Sequence, residues 1–170
     1  DPYQTAPEKY RAMFDPEKLL LRDNVPDDFS KEAREMLAGY YAHCAVLDEC
    51  VGDLLATLDD TGIADNTIFV FTSDHGDMLW SQGRMKKQLP WEESIHIPFL
   101  IRWPGHIQAG ATSDVLFGVI DHLPTLLGLC SVEASARLQG IDLSPTLLGS
   151  PQTGPSSLFL MDMVRMDESH

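Results

Sequence analysis

The side chains best suited to chemistry lie in one polar segment, residues 73–97, between two apolar runs. Asp74 and His75 are adjacent there, and a carboxylate together with an imidazole nitrogen can bind a divalent cation. Gly76 follows them, and a glycine lets the backbone turn away without steric cost. The alternative interpretation of this short motif is a polar turn in which Asp74 caps a helix.

Two adjacent lysines, Lys86 and Lys87, follow in the same segment. A lysine ammonium is a compact point charge that suits a sulfate or phosphate oxygen. The alternative is a pair of solvated surface lysines. The pair is nevertheless unusual in a chain with 12 Lys and Arg against 26 Asp and Glu.

A long helix precedes this segment, over residues 31–60, because apolar residues recur there at spacings of three and four. Ser30 is placed to cap its beginning, and Gly62 suits the position just after its end. The predicted buried stripe consists of Leu37, Tyr40, Tyr41, Cys44, Leu47, Val51, Leu54, Leu55 and Leu58.

Two apolar runs, 67–72 and 98–103, flank the polar segment. Runs without polar alternation are typical of strands buried on both faces in parallel sheets, and their order with the long helix indicates an α/β architecture. Ligands bind at the carboxyl ends of such strands, where Asp74 lies. Further along, we expect a helix over 122–129 capped by Asp121, a connector over 139–149, a linker over 150–157 and a strand starting at Ser157.

The charge balance, −14 overall, argues against a nucleic-acid-binding protein and against a polybasic membrane anchor. No apolar run approaches the roughly 18 residues of a membrane-spanning helix. Residues 1–5 have neither a basic nor an apolar character, so no signal peptide is predicted in this segment.

Several motifs, taken in order, resemble the sulfatase family of the alkaline phosphatase superfamily. The matching runs are Phe71-Thr72-Ser73-Asp74-His75-Gly76-Asp77-Met78-Leu79, then Lys87-x-x-x-Trp91-Glu92-Glu93-Ser94-Ile95-His96-Ile97-Pro98, then Ile101-Arg102-Trp103-Pro104-Gly105. Further likeness at 40–52, 121–127 and 138–143 extends the resemblance over most of residues 1–150.

The resemblance implies specific roles. Asp74 and His75 match a pair of metal ligands, usually for Ca²⁺, with Mn²⁺ as the alternative. Lys87, four residues before Trp91, matches the lysine that contacts the substrate sulfate and acts in catalysis, whereas Lys86 fits that spacing less well. The implied fold is part of an alkaline-phosphatase-like sandwich, with a mainly parallel sheet flanked by helices. Residues 1–150 would be the C-terminal part of the large catalytic domain, and 151–170 a linker and the start of a smaller subdomain.

The family's nucleophile is missing from this chain. Sulfatases use a formylglycine made within a Cys/Ser-x-Pro-x-Arg motif, and no such motif occurs here, because Cys44, Cys50 and Cys130 lie in other contexts. We therefore expect a fragment of a sulfatase that is inactive on its own and self-associates through exposed apolar faces. Its substrate would be a sulfated small molecule or glycan.

Two other functions remain open. A phosphonate monoester hydrolase or phosphodiesterase of the same superfamily shares the Asp-His pair, and a noncatalytic relative could keep the scaffold. Retention of Asp74, His75 and Lys87 together argues against the noncatalytic relative. By resemblance, the expected location is extracytoplasmic: periplasmic, secreted or lysosomal.

Overall fold

The structure is a computed structural model that describes residues 2–135, 137–150 and 154–158. These residues form two compact units, one from 2–63 with 75–98 and the other from 64–74 with the described part of 99–158. The helices are α1 (Glu8–Arg11), α2 (Ser30–Asp60), α3 (Glu92–Ile95), α4 (Val119–Leu129) and α5 (Ser144–Leu147), and the strands are β1 (Phe69–Thr72) and β2 (Phe99–Arg102).

Helix α2 dominates the first unit, and its predicted extent is confirmed. Ser30 is its first residue and does not cap it, because a 3-10 turn over Asp27–Phe29 leads directly into the helix and gives Ser30 helical φ and ψ angles. The C-terminal end is as predicted. Gly62 has φ +70°, its N–H donates to the Asp59 carbonyl, and the Ile63 N–H donates to the Leu58 carbonyl, which is a Schellman motif.

The face that α2 buries differs from the predicted stripe. Small residues are buried, namely Ala33, Ala38, Gly39 and Ala42. Leu47 and Leu54 of the predicted stripe are 52% and 56% exposed. This face carries small residues because the N-terminal segment lies directly against the helix, and a Cβ at Gly39 would overlap the Tyr3 backbone.

The second unit holds the two strands. β1 and β2 pair antiparallel, with Phe69 opposite Arg102 and Thr72 opposite Phe99, whereas both runs were expected to be strands of a mainly parallel sheet. A parallel crossover normally returns the chain along a substantial helix, whereas the connecting segment contains only a 3-10 turn at Ser81–Gly83 and the four-residue α3. An apolar run indicates burial and carries no information about strand direction. The burial is also partial here, since Leu100 is 64% exposed.

Helix α4 begins three residues before the predicted start. Asp121 was expected to cap it from outside, yet Asp121 lies in the first turn and its carboxylate accepts the Gly118 N–H at 2.8 Å. Its other oxygen accepts the Ile141 N–H at 2.7 Å, which fixes the predicted connector against α4. The connector contains the short α5, in agreement with the expected turn.

The remaining sequence predictions concern the C-terminal end. Residues 151–153 of the expected linker and residues 159–170, which include most of the expected last strand, lie outside the described residues. Within the described part of the chain, no helix is both long and apolar enough to cross a membrane.

Candidate functional site

Two of the three predicted site residues meet in the first unit. The Nζ atom of Lys87 lies 2.6 Å from Nε2 of His75, and Nδ1 of His75 lies 2.7 Å from the carbonyl oxygen of Gly76. A carbonyl oxygen only accepts hydrogen bonds, so Nδ1 carries the proton and donates a hydrogen bond to the Gly76 carbonyl. Nε2 therefore presents its lone pair, which accepts the Lys87 ammonium.

Asp74, the third predicted residue, precedes His75 in the chain and follows β1 by two residues. Its side chain is exposed. Asp74 belongs to the second unit and His75 to the first. By residue type, a carboxylate and an imidazole suit a divalent cation. Across the residues that the structure describes, no group of three or more His, Cys, Asp or Glu side chains is placed to hold a metal ion.

Gly76 connects this turn to α3. Its N–H donates to the Ser94 carbonyl at 2.8 Å, and a Cβ at Gly76 would overlap the carbonyl oxygen of Glu93. Close approach therefore requires the glycine, since its φ angle is not in the left-handed region. The contact brings the Asp-His-Gly motif against the Glu-Glu-Ser motif, although Gly76 and Glu93 are 17 positions apart.

The loop between His75 and Lys87 is closed by backbone hydrogen bonds. The Met78 N–H donates to the Lys86 carbonyl at 2.7 Å, and the Trp80 N–H donates to the Arg84 carbonyl at 2.8 Å. Buried Met78 fixes the start of the loop. Four non-glycine residues of the loop have positive φ angles, namely Leu79, Trp80, Gln82 and Lys86, and so does Gln88 just after Lys87. Such backbone is costly, so the surrounding contacts must hold it.

Sequence reasoning missed Tyr3 and Asp77. The Tyr3 hydroxyl donates to Asp77 at 2.7 Å, and the other oxygen of Asp77 accepts the Leu79 N–H at 3.0 Å. Burial raises the pKa of Tyr3, and its hydrogen bond to Asp77 raises that pKa further. Because 74 residues separate the partners, no local signal in the sequence could have revealed the pair.

Sequence reasoning also missed the environment of Glu93. Its carboxylate accepts a hydrogen bond from Asn24 Nδ2 at 2.6 Å and lies 3.3 Å from Nη1 of Arg22. The hydrogen bond from Asn24, with the nearby Arg22 charge, holds the pKa of Glu93 below its usual value although burial opposes this. Nothing in the sequence around Glu93 indicates that its carboxylate would point into the structure.

Known proteins match the chain along most of its length. A family model described as Sulfatase matches residues 2–132. An ulvan-active sulfatase from Formosa agariphila is 44% identical over 146 residues, which cover 84% of this chain and 29% of that protein.

Solved structures match in the same way. A Bacteroides thetaiotaomicron protein, described with the metabolism of multiple glycosaminoglycans, has a TM-score of 0.83 at 31% identity and covers 91% of this chain. A phosphonate monoester hydrolase from Silicibacter pomeroyi has a TM-score of 0.81 at 26% identity and covers 93% of this chain. The chain spans 29% of the first relative, 34% of the Bacteroides structure and 37% of the hydrolase.

Proposed function

The chain belongs to the sulfatase family, whose members hydrolyse sulfuric esters, and we propose that it is the C-terminal part of a metal-dependent sulfatase catalytic domain. In this proposal, residues 1–150 belong to that domain, and 151–170 form a linker and the start of a smaller subdomain. The nucleophile, a formylglycine, lies outside this chain.

The observation that carries the proposal is the pairing of His75 with Lys87. Their side chains lie 2.6 Å apart, so a candidate metal ligand and a candidate sulfate-binding cation share one point of the first unit. A cation at Nε2 and the Lys87 ammonium compete for the same lone pair. If a cation were held at Nε2, the Lys87 ammonium would no longer bond there and could contact a sulfate oxygen where negative charge develops.

The metal would be held by Asp74 and His75, with other ligands from outside this chain. The Nδ1–H bond to Gly76 orients the imidazole for ligation. When bound, a divalent cation polarises the S–O group of the ester. We propose Ca²⁺, as in the family resemblance, with Mn²⁺ as the alternative because an imidazole nitrogen suits a transition metal better than Ca²⁺.

The charge of the loop supports an anionic substrate. Residues 78–91 contain no Asp or Glu in a chain with 26 of them, and Arg84, Lys86 and Lys87 are all exposed. A local positive charge in an acidic protein attracts anions to that place. The relatives named for ulvan and for glycosaminoglycans point to a sulfated glycan, with a sulfated small molecule as the alternative.

A second candidate function is phosphonate monoester hydrolysis. The TM-score of 0.81 for the phosphonate monoester hydrolase is close to the 0.83 of the glycosaminoglycan-related structure. The 44% identity to a sulfatase, against 26% to the hydrolase, favours the sulfatase. We further propose an extracytoplasmic location, as the family resemblance implies.

For the 170-residue chain alone, we expect no turnover, because the nucleophile is missing. We also expect self-association. Large apolar side chains of the second unit support this, since Leu100, Ile120 and Leu123 are each more than half exposed.

The test compares esters in the full-length product of the gene. Release of sulfate from a sulfated polysaccharide and an aryl sulfate is measured beside hydrolysis of a phosphonate monoester, with and without a chelator. We expect a higher kcat/KM for a sulfate ester and loss of turnover after metal removal. A higher kcat/KM for the phosphonate ester would establish the second function, and turnover without metal would contradict the metal site.

A further inference from the structure

Glu92 and Glu93 are neighbours in α3 with opposite environments. The side chain of Glu92 is 78% exposed and lies 3.2 Å from Nδ1 of His96 at the surface. The side chain of Glu93 is only 7% exposed. A buried carboxylate needs hydrogen-bond or charge partners to offset the loss of water. Such partners fix the position of Glu93, whereas the exposed Glu92 does not need them.

The partners of Glu93 come from a distant part of the chain. Asn24 Nδ2 donates to it at 2.6 Å, and Arg22 Nη1 lies 3.3 Å away. Arg22 itself is 63% exposed, so the ion pair is at the surface on one side and the hydrogen bond from Asn24 is the inner contact. These two contacts fasten α3 to residues 22–24.

Two connections lead from Glu93 to the predicted site residues. Through α3, the Glu93 carbonyl lies against Gly76, and the Ser94 carbonyl accepts the Gly76 N–H at 2.8 Å. Through Asn24, whose carbonyl accepts the Gln82 N–H at 2.9 Å, the same cluster holds the loop that ends at Lys87.

We propose that Glu93 is a positioning residue: anchored by Asn24 and Arg22, it holds Gly76 so that the Gly76 carbonyl keeps the His75 proton on Nδ1. It acts through α3 and touches neither metal nor substrate. The inference rests on the proposed function for the role of Nε2 as a metal ligand. The tautomer of His75, however, is a property of the metal-free protein.

The experiment compares E93A with E92A in the full-length protein. Circular dichroism establishes folding, ¹⁵N NMR of labelled histidine rings gives the His75 tautomer without metal, and calorimetric titration with Mn²⁺ and with Ca²⁺ gives affinity. H75A identifies the His75 signals. We expect E93A to mix the two tautomers and to weaken metal binding about 10-fold, and E92A to match the wild type in both.

E93Q is the rescue variant, because its Oε1 still accepts from Asn24. We expect its tautomer to match the wild type and its metal affinity to lie within about threefold of it. If E93A fails to fold, N24A takes its place, and we expect the same changes in the same direction. A folded E93A or N24A with an unchanged tautomer and unchanged metal affinity would overturn the inference, as would an E93Q that behaves like E93A.

Failure of the proposed function gives a different result. If the wild type binds no metal, or if H75A binds it equally well, the metal site at His75 is wrong. The tautomer comparison between E93A and E92A still decides whether Glu93 positions the turn. If the wild type binds metal through His75 and E93A changes neither readout, only the positioning role fails.

Discussion

The two units share one arrangement. In each, a glycine packs against a backbone carbonyl, and a largely or fully buried carboxylate lies nearby. In the first unit, Gly76 lies against the carbonyl of Glu93, whose side chain is 7% exposed. In the second, a Cβ at Gly140 would overlap the Ile120 carbonyl, next to Asp121, which is 1% exposed. Neither glycine has a left-handed φ angle, so close approach alone requires both.

The two carboxylates differ in what satisfies them. Asp121 accepts backbone N–H groups from residues 3 and 20 positions away, so it closes a helix start and a connector. Glu93 accepts a side-chain hydrogen bond from Asn24, 69 positions away, in the same unit as His75 and Lys87. The same device therefore stabilises local structure in one unit and, by our inference, orients chemical groups in the other.

The largest expected effect separates chemistry from stability. K87A removes the ammonium proposed to face the sulfate, and we expect kcat/KM to fall about 10²- to 10³-fold, or about 3–4 kcal/mol in transition-state stabilisation. Lys87 is exposed, so the free energy of unfolding should change by less than about 0.5 kcal/mol.

K86A is the matched control for K87A, because Lys86 is equally exposed and its neighbour in sequence. Steady-state kinetics should place K86A within about threefold of the wild type, since loss of one solvated charge has a small effect. Metal affinity measured by titration should not fall in K87A, because the competing ammonium is gone. Equal kinetic losses in K86A and K87A would remove the special role of Lys87.

The next effect compares the two glycines. In both G76A and G140A the new Cβ meets a backbone carbonyl, and we expect each to lower the free energy of unfolding by about 1–3 kcal/mol in denaturant titrations. Only G76A should also weaken Mn²⁺ or Ca²⁺ binding, because the hydrogen bond from Nδ1 of His75 goes to the Gly76 carbonyl and not to Gly140. A G140A protein that is folded and equally impaired in metal binding would contradict the proposed division of roles.

The smallest effect is a difference in pH dependence. Burial lowers the pKa of His122, which packs against Phe99 and Phe117, so the charged form is disfavoured in the folded state. The stability that neutral His122 contributes is complete above the pKa of an unfolded histidine, about 6.5, and is lost as the pH falls towards the lower pKa of the folded state. H122Q should flatten the pH dependence of the unfolding free energy in that range.

Glu93 should act at lower pH. Because its hydrogen bond from Asn24 and the Arg22 charge lower its pKa, its contribution is complete above about 4.3 and is lost as the pH falls further. E93Q should flatten the curve only there. Denaturant unfolding at a series of pH values measures both slopes, and a flattening of the same pH range by both variants would show that the two groups do not titrate separately.

Local patterns predicted the elements well where one element's own residues decide its form. The spacing of apolar residues gave α2, and Gly62 gave its end. The prediction of the buried face of α2 was wrong in part. The predicted stripe includes Leu47 and Leu54, which are exposed, whereas the N-terminal segment packs on small residues. Periodicity identifies an apolar face, but which neighbour covers that face depends on the rest of the chain.

The candidate site divides in the same way. Asp74, His75 and Lys87 were identified from residue type and spacing, because metal ligation and anion binding require particular side chains. Asn24, Glu93 and the Tyr3–Asp77 pair were not, because nothing in residues 22–24 or 1–5 indicates that they meet α3 or the loop.

The sequence by itself determined the family, the chemical groups and the main helix, since these depend on residue identity and on periodicity along one element. Only the tertiary structure decided that β1 and β2 run antiparallel and which nitrogen of His75 carries the proton. It also decided which of two adjacent glutamates is buried. Strand direction and burial are set by partners distant along the chain, and the tautomer by the backbone conformation that brings the Gly76 carbonyl to Nδ1. A local sequence pattern records neither.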